Sequence, residues 1–249
     1  MKNFTRIILC LSVLMYGCSP YYYAPNKSNV PNLRERNDMR VDAGFGGGWV
    51  MRGADLQTAY ALGSHIGIMA NGAVTNSRYT YRRYDEDREK TQSWYAEGAL
   101  GYFTKLEDNE NWCFEIYGGA GKGEYRITYS DEARARLNMD KYFVQPSLTF
   151  THPRRGVELS IGSRFSGVDY YLGSISTPNN YDFRTVHDIV NRSLMFYWEP
   201  SFRFSAGSKA IKGFVSVTPT VSILDTNIPR EVVNLNLGIR FTFNTSPKH

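Results

Sequence analysis

The sequence predicts an all-β fold, a ten-stranded antiparallel up-and-down transmembrane β-barrel. Three observations predict it. Apolar and polar side chains alternate with period two from Met39 almost to the end of the chain. The connections between the alternating stretches are mostly short at one end and longer at the other. Aromatic residues, abundant at 18 Tyr, 14 Phe and 4 Trp, gather toward the ends of the stretches.

The first seventeen residues precede that pattern. Lys2 and Arg6 open a short apolar run from Ile7 to Tyr16, the plan of a secretory signal and too short for a spanning helix. Gly17-Cys18 then resembles a bacterial lipobox, with Met15 and Tyr16 departing from its usual residues. The predicted organisation is a lipoprotein-type signal over 1–17 and a lipid-anchored periplasmic tether over 18–38. The barrel follows over 39–244 and a periplasmic tail over 245–249. Cys18 is the expected lipidation site. The tether is rich in Asn, Pro and Ser and has no periodicity.

The ten strands fall at 39–50, 54–62, 65–76, 92–105, 111–129, 138–151, 156–171, 191–205, 211–224 and 231–243. The last is the clearest: Val233, Leu235, Leu237, Ile239, Phe241 and Phe243 alternate with Asn234, Asn236, Gly238, Arg240 and Thr242. In the fifth, the apolar parity moves from Phe114 and Ile116 to Tyr125 and Ile127, which predicts a bulge between Gly118 and Gly123. A weak repeat, VQPSLTF, WEPSFRF and VTPTVSI, places Pro146, Pro200 and Pro219 on the apolar parity. Proline cannot donate to a ladder, so each is expected at a bulge. An even strand number puts both termini on the short-turn side, the periplasm, and the lipid anchor with them.

Composition narrows the function. The mean hydropathy of −0.42 excludes a bundle of membrane helices. The formal charge of +5 falls when Lys2 and Arg6 leave with the signal, and the remaining basic residues form no stripe, so no nucleic-acid partner is expected. Of Cys10, Cys18 and Cys113, a mature lipoprotein keeps one thiol, and no disulfide framework, metal site or cofactor is expected.

On the inward parity, Asp42, Glu97, Glu115, Glu158 and Glu199 face Arg40, Lys141, Arg164, Arg203 and Arg240. Buried charges must be paired, and a wide channel needs more strands. The expected lumen is therefore an ion-pair network that plugs the barrel. In loop 77–91, Arg78, Tyr79, Tyr81, Arg82, Arg83 and Tyr84 interleave, a composition suited to sugars, phosphates or the lipopolysaccharide surface. Loop 172–190 is a lid or docking loop.

With these strands, and above all VVNLNLGIRFTF ending at Phe243, residues 39–243 resemble the small outer-membrane β-barrel proteins of Gram-negative bacteria. The N-terminal part resembles their lipidated members. Asn244 to His249 depart from the family's terminal aromatic. The resemblance implies an outer-membrane location, contact with lipid and lipopolysaccharide, and the barrel assembly machinery as a biogenesis partner. Ten-stranded barrels include the omptin proteases, whose paired acids Asp85-Glu86-Asp87 and His187-Asp188 imitate only in part. Adjacent residues of a strand point to opposite faces, so the expectation is no enzyme. The reading is a structural or accessory barrel, in which the chain serves a larger envelope complex. The alternatives are a narrow pore, a ligand transporter or, last, a barrel hydrolase.

Overall fold

The computed structural model describes residues 22–24, 28–80, 88–106, 109–129, 132–176, 183–192, 194–224 and 230–245. Its strands are β1 (Asp38–Gly47), β2 (Met51–Ala61), β3 (Ile66–Thr80), β4 (Arg88–Leu106), β5 (Asn109–Thr128), β6 (Arg134–Thr151) and β7 (Val157–Ser176). A short helix, α1 (Arg184–Val190), precedes β8 (Met195–Gly207), β9 (Ile211–Pro219), β10 (Val221–Ser222) and β11 (Val233–Asn244).

From β1 to β9 each strand pairs antiparallel with the next, β9 pairs with β11, and β1 pairs with β11 to close the ring. β9 and β10 are two pieces of one barrel strand. Both face β8 in a single register, with Val217 opposite Phe202 and Val221 opposite Trp198. The result is a closed ten-stranded barrel. Closure removes the long open edges of the sheet, which lipid could not solvate; among the described residues the two-residue β10 pairs with β8 alone.

The connections at the lower end are short. Residues 62–65 and 152–156 make two of the turns, and Gly156 supplies a φ of +63° that only glycine adopts without strain. The upper end carries the longer connections and α1.

Outward side chains form an apolar belt that includes Leu56, Ile68, Leu100, Val144, Ile161, Phe202 and Leu237, all exposed. Trp94, Tyr142, Phe165 and Phe196 mark its upper border, and Tyr102, Phe204 and Phe243 its lower one. Exposed apolar side chains around a whole barrel, ending in aromatic rings, are the surface of a membrane barrel. A tilted strand needs about 9–11 residues to cross the hydrocarbon. β5 and β7 have 20 residues each and β6 has 18, so this wall continues well above the belt. There the outer face carries Gln92, Glu124, Arg126 and Arg136, with Glu124 paired to both arginines.

Two local expectations are corrected. No bulge lies between Gly118 and Gly123, because β5 keeps one register with β4 from Cys113 to Thr128. Tyr125 and Ile127 simply point inward, where the upper lumen is apolar. The register shifts lie instead at Lys105/Leu106 and Arg136/Leu137.

The three prolines are not at bulges either. Pro200 stands opposite Ser163 in an unshifted ladder. Pairing between β6 and β7 stops at Val144 and resumes, in the same register, at Ser147, skipping Pro146. Between β8 and β9–β10 it stops across Pro200 and Pro219 and again resumes unshifted. Pro146, Ser163, Pro200 and Pro219 thus form one row across four neighbouring strands. The missing N–H groups interrupt the ladder without displacing it. On the outer side of this row, Trp198 Nε1 donates to Ser163 Oγ at 2.7 Å.

Candidate functional site

The lumen is occupied by the chain's own N-terminal segment. Residues 28–37 had read as a spacer outside the barrel. Residues 34–37 lie at its lower rim, residues 28–33 run up its interior, and residues 22–24 lie at the upper end. Tyr22, Tyr23, Val30, Asn32 and Leu33 are each at most 1% exposed.

The segment enters at the lower rim. Asn37, with a φ of 68°, reverses the chain just before β1. Asp38 Oδ2 accepts the backbone N–H groups of Arg34 (3.0 Å) and Glu35 (3.1 Å). The Arg34 guanidinium donates to the carbonyls of Glu110 (2.7 Å) and Asn111 (2.9 Å), tying the entry to the start of β5. Leu33 then packs among Phe103, Tyr117 and Met69. Its carbonyl accepts from Cys113 Sγ at 3.1 Å, so this free thiol is a buried packing group.

An extended segment in a polar lumen has unpaired backbone groups, and each must find a partner. Here the barrel's charged side chains supply many of them. Glu115 accepts the N–H groups of Asn32 (2.8 Å) and Leu33 (3.1 Å). Arg40 donates to the Asn32 carbonyl at 3.0 Å and also reaches Thr242. Arg240 Nη2 donates to the Val30 carbonyl at 2.6 Å. Gln145 Nε2 donates to the Asn29 carbonyl, and Asn29 Nδ2 donates to Asn71 Oδ1 at 2.6 Å.

The same residues pair with one another. Asp42 lies between Arg203 (2.5 Å) and Arg240 (2.9 Å), and Arg240 continues to Glu158 at 3.1 Å. Lys212 also meets Glu158, at 3.4 Å. Arg164 pairs with Glu97 at 2.9 Å and stacks over Phe143 at 4.4 Å. Glu199 takes Lys141 at 3.3 Å and the Tyr23 hydroxyl. All these side chains are nearly or fully buried, and one partner alone would be strongly destabilising there. Asp42, Glu97, Glu158, Glu199, Arg164, Arg203 and Arg240 therefore meet as pairs. Among the described residues, Glu115 is turned chiefly to the segment's backbone, and Arg40 divides between the Asn32 carbonyl, Thr242 and, at 4.0 Å, Asp38.

Above this polar band the lumen changes character. Tyr23 stacks on Tyr197 with ring centroids 4.2 Å apart. Tyr22 lends its carbonyl to the Tyr170 hydroxyl at 2.7 Å, and its own hydroxyl lies 3.3 Å from that of Tyr129. Ala24 donates its N–H to the Tyr125 hydroxyl at 3.2 Å. Leu137, Met139, Val168 and Met195 fill the surrounding wall, and Phe183, Val186 and Ile189 of the α1 region cover it. The part of loop 172–190 that had read as a lid is thus a packed cover. A small cavity of about 20 Å³ beside Ala24 has room for about one water.

Sequence periodicity did not reveal three contributors. Lys212 has the inward parity of β9 and could have been found from it. Glu231 lies before β11 and accepts the N–H groups of Trp49, Val50 and Met51 at 2.8–3.0 Å, closing the β1–β2 turn. The N-terminal segment gave no signal, because its partners are scattered over the whole chain.

The other predicted positions stand apart from the lumen. Arg78 and Tyr79 lie in the β3–β4 ladder, opposite Lys90 and Glu89, because both strands extend farther than the alternation indicated. Tyr81, Arg82, Arg83, Tyr84 and the Asp85-Glu86-Asp87 run fall outside the described residues, as does Cys18. His187 and Asp188 are exposed on α1, not on a strand.

No family model matches the chain. Solved structures with a similar architecture include the translocator domain of the autotransporter NalP from Neisseria meningitidis. That match has 12% identity and a TM-score of 0.45, covering 84% of this chain and 90% of that one. The outer-membrane protease OmpT from Escherichia coli matches at 11% identity and a TM-score of 0.43, covering 88% and 99%. The NanC porin matches at 10% identity and a TM-score of 0.40, covering 82% and 100%. The likeness is one of architecture. It also corrects one expectation: a protease stands among these barrels, so the reading that the chain is no enzyme is withdrawn. The fold serves catalysts and non-catalysts alike.

Proposed function

We propose that this protein is an outer-membrane β-barrel lipoprotein, lipidated at Cys18, whose lumen is filled by its own N-terminal segment. It acts as a structural or accessory subunit of the Gram-negative envelope. The observation that carries this reading is the path of residues 22–24 and 28–33 inside the barrel. Backbone groups of that segment are held by Glu115, Arg40, Arg240, Gln145 and Tyr125, so the segment is built into the wall's own charge network. A barrel so occupied offers partners its outer face, its loops and the wall above the belt. Lipid and lipopolysaccharide are the immediate contacts, and the barrel assembly machinery acts during biogenesis.

Planar-bilayer recording tests the occupied lumen. The whole protein is expected to give no steady open state, and deletion of residues 22–34 is expected to create one. A large, steady conductance from the intact protein would overturn the reading. Purification in mild detergent tests the accessory role: a stoichiometric membrane partner is expected, and a lone monomer would count against it.

A second reading, a narrow path for small polar solutes, is favoured by one observation. The buried hydroxyls of Ser147, Ser201, Ser216, Thr218 and Thr220 have no hydrogen-bond partner among the described residues, and they line the inner wall of β6, β8 and the β9–β10 strand near the proline row. Small, discrete conductance steps from the intact protein, reduced by a bulky Ser201→Leu substitution, would support it.

A further inference from the structure

The direction in which the N-terminal segment runs has a consequence for where the chain begins. Asn37 sits at the lower end, where its carbonyl accepts the Thr245 N–H at 3.0 Å beside the last strand. Going backwards, Leu33 lies near Cys113, Val30 near Arg240 and Tyr23 near Glu199. Tyr22 ends against Tyr129, which follows the last residue of β5 at the upper end, and against Tyr170. Tyr170 stands five positions above Phe165, one of the rings that mark the belt's upper border. At about 3.3 Å per residue along a tilted strand, that places Tyr22 roughly 10 Å or more above the border.

Only four residue steps separate Tyr22 from Cys18. Fully extended, they reach about 14 Å. The apolar band of a membrane barrel is about 25 Å tall. From Tyr22, Cys18 can therefore reach the upper border of the membrane but not the lower one. The route back down through the barrel is filled by the segment itself and its partners.

We infer that the mature N-terminus emerges at the loop end of the barrel, so that the lipid on Cys18 is seated in the outer, cell-surface leaflet. This replaces the periplasmic anchor that an even strand number implied. The count of strands places Asp38 and Asn244 correctly at one end, but the segment before Asp38 carries the N-terminus through to the other. The lipid's place rests on the proposed lipidation of Cys18. The exit of the chain at the loop end does not.

Two measurements keep these apart. Pro20→Cys and Thr245→Cys variants, each expressed in the full chain, are treated on intact cells with a membrane-impermeant maleimide. The unsubstituted protein, whose Cys113 thiol is buried, is the blank and registers any label taken by Cys18 itself. Pro20→Cys is expected to label before permeabilisation and Thr245→Cys only after it. Heat-modifiable gel mobility confirms that each variant has folded. Pro20→Cys that labels only after permeabilisation in a folded barrel would overturn the inference. Mass spectrometry of the N-terminal peptide then tests the lipid alone. A diacylglyceryl-modified Cys18, lost in Cys18→Ala, is expected. An unmodified Cys18 with surface-labelled Pro20→Cys would refute the lipid's placement while leaving the exit at the loop end intact.

Discussion

The barrel has two halves of opposite sense. Within the belt, the outer face is apolar and much of the lumen is charged. Above it, the outer face carries Gln92, Glu124, Arg126 and Arg136, and the lumen is lined by Tyr125, Leu137, Met139, Val168 and Tyr197. The strands do not change parity between the halves; the surroundings do. Lipid accepts apolar side chains outside and leaves the interior to paired charge, whereas water accepts charge outside and drives apolar residues in. The N-terminal segment follows the same rule along its own length. Asn29 and Asn32 lie in the polar band, and Tyr22, Tyr23 and Ala24 lie in the apolar one.

Substitutions can break this comparison, and the largest effect comes from the element that both halves share. Deleting residues 22–34 strips partners from Glu115, Arg40, Arg240 and the upper tyrosines together. The barrel is expected to keep its heat-modifiable band, but with a transition temperature lowered by tens of degrees. Next is Arg240→Met, which leaves Asp42 with a single arginine and Glu158 with lysine alone. A loss of about 3–5 kcal/mol is expected in urea-unfolding titrations in detergent or liposomes. Because the site is buried, raising the salt should change that loss little.

Leu137→Ala removes a fully buried side chain from the upper lumen and should cost about 2–5 kcal/mol in the same titration. Leu237→Arg sits on the belt at 65% exposure, yet it should cost about 2–4 kcal/mol, because its surroundings are lipid. An effect near zero would mean that the belt is not where the exposed apolar residues place it. Arg126→Ala completes the series. Its ion pair with Glu124 lies on the exposed upper wall, and a change of no more than about 1 kcal/mol is expected.

Much of this architecture is legible in the sequence. The alternation of β11 and the inward set Asp42, Glu97, Glu158, Arg164, Glu199, Arg203 and Arg240 follow from period two alone, because a strand's faces are fixed by parity. Tyr125 and Ile127 were misread because apolar parity was equated with the lipid side, an equation that holds only within the belt. Pro146, Pro200 and Pro219 were misread because a missing donor was equated with an inserted residue. Neither reading could know the register in which neighbouring strands stood or the height at which the belt ended. The N-terminal segment was illegible for a deeper reason. It has no period of its own, since its described residues belong to no strand ladder, and its partners lie 3 to 210 residues away.

Arg240 bonds the Val30 carbonyl from β11, the strand that closes the ring against β1. This joins the segment to the seam. Where the leading segment already lies along the open sheet when β1 and β11 zip, Arg240 reaches Val30 and Asp42 as the seam shuts. Arg240 and Asp42 sit opposite each other in that seam and grip the segment as it closes. Closure of the ring and seating of its own beginning thus meet at one residue: a molecule whose N-terminus lagged behind would lack the Val30 carbonyl that Arg240 bonds at the junction, while Arg240 kept Asp42 and Glu158.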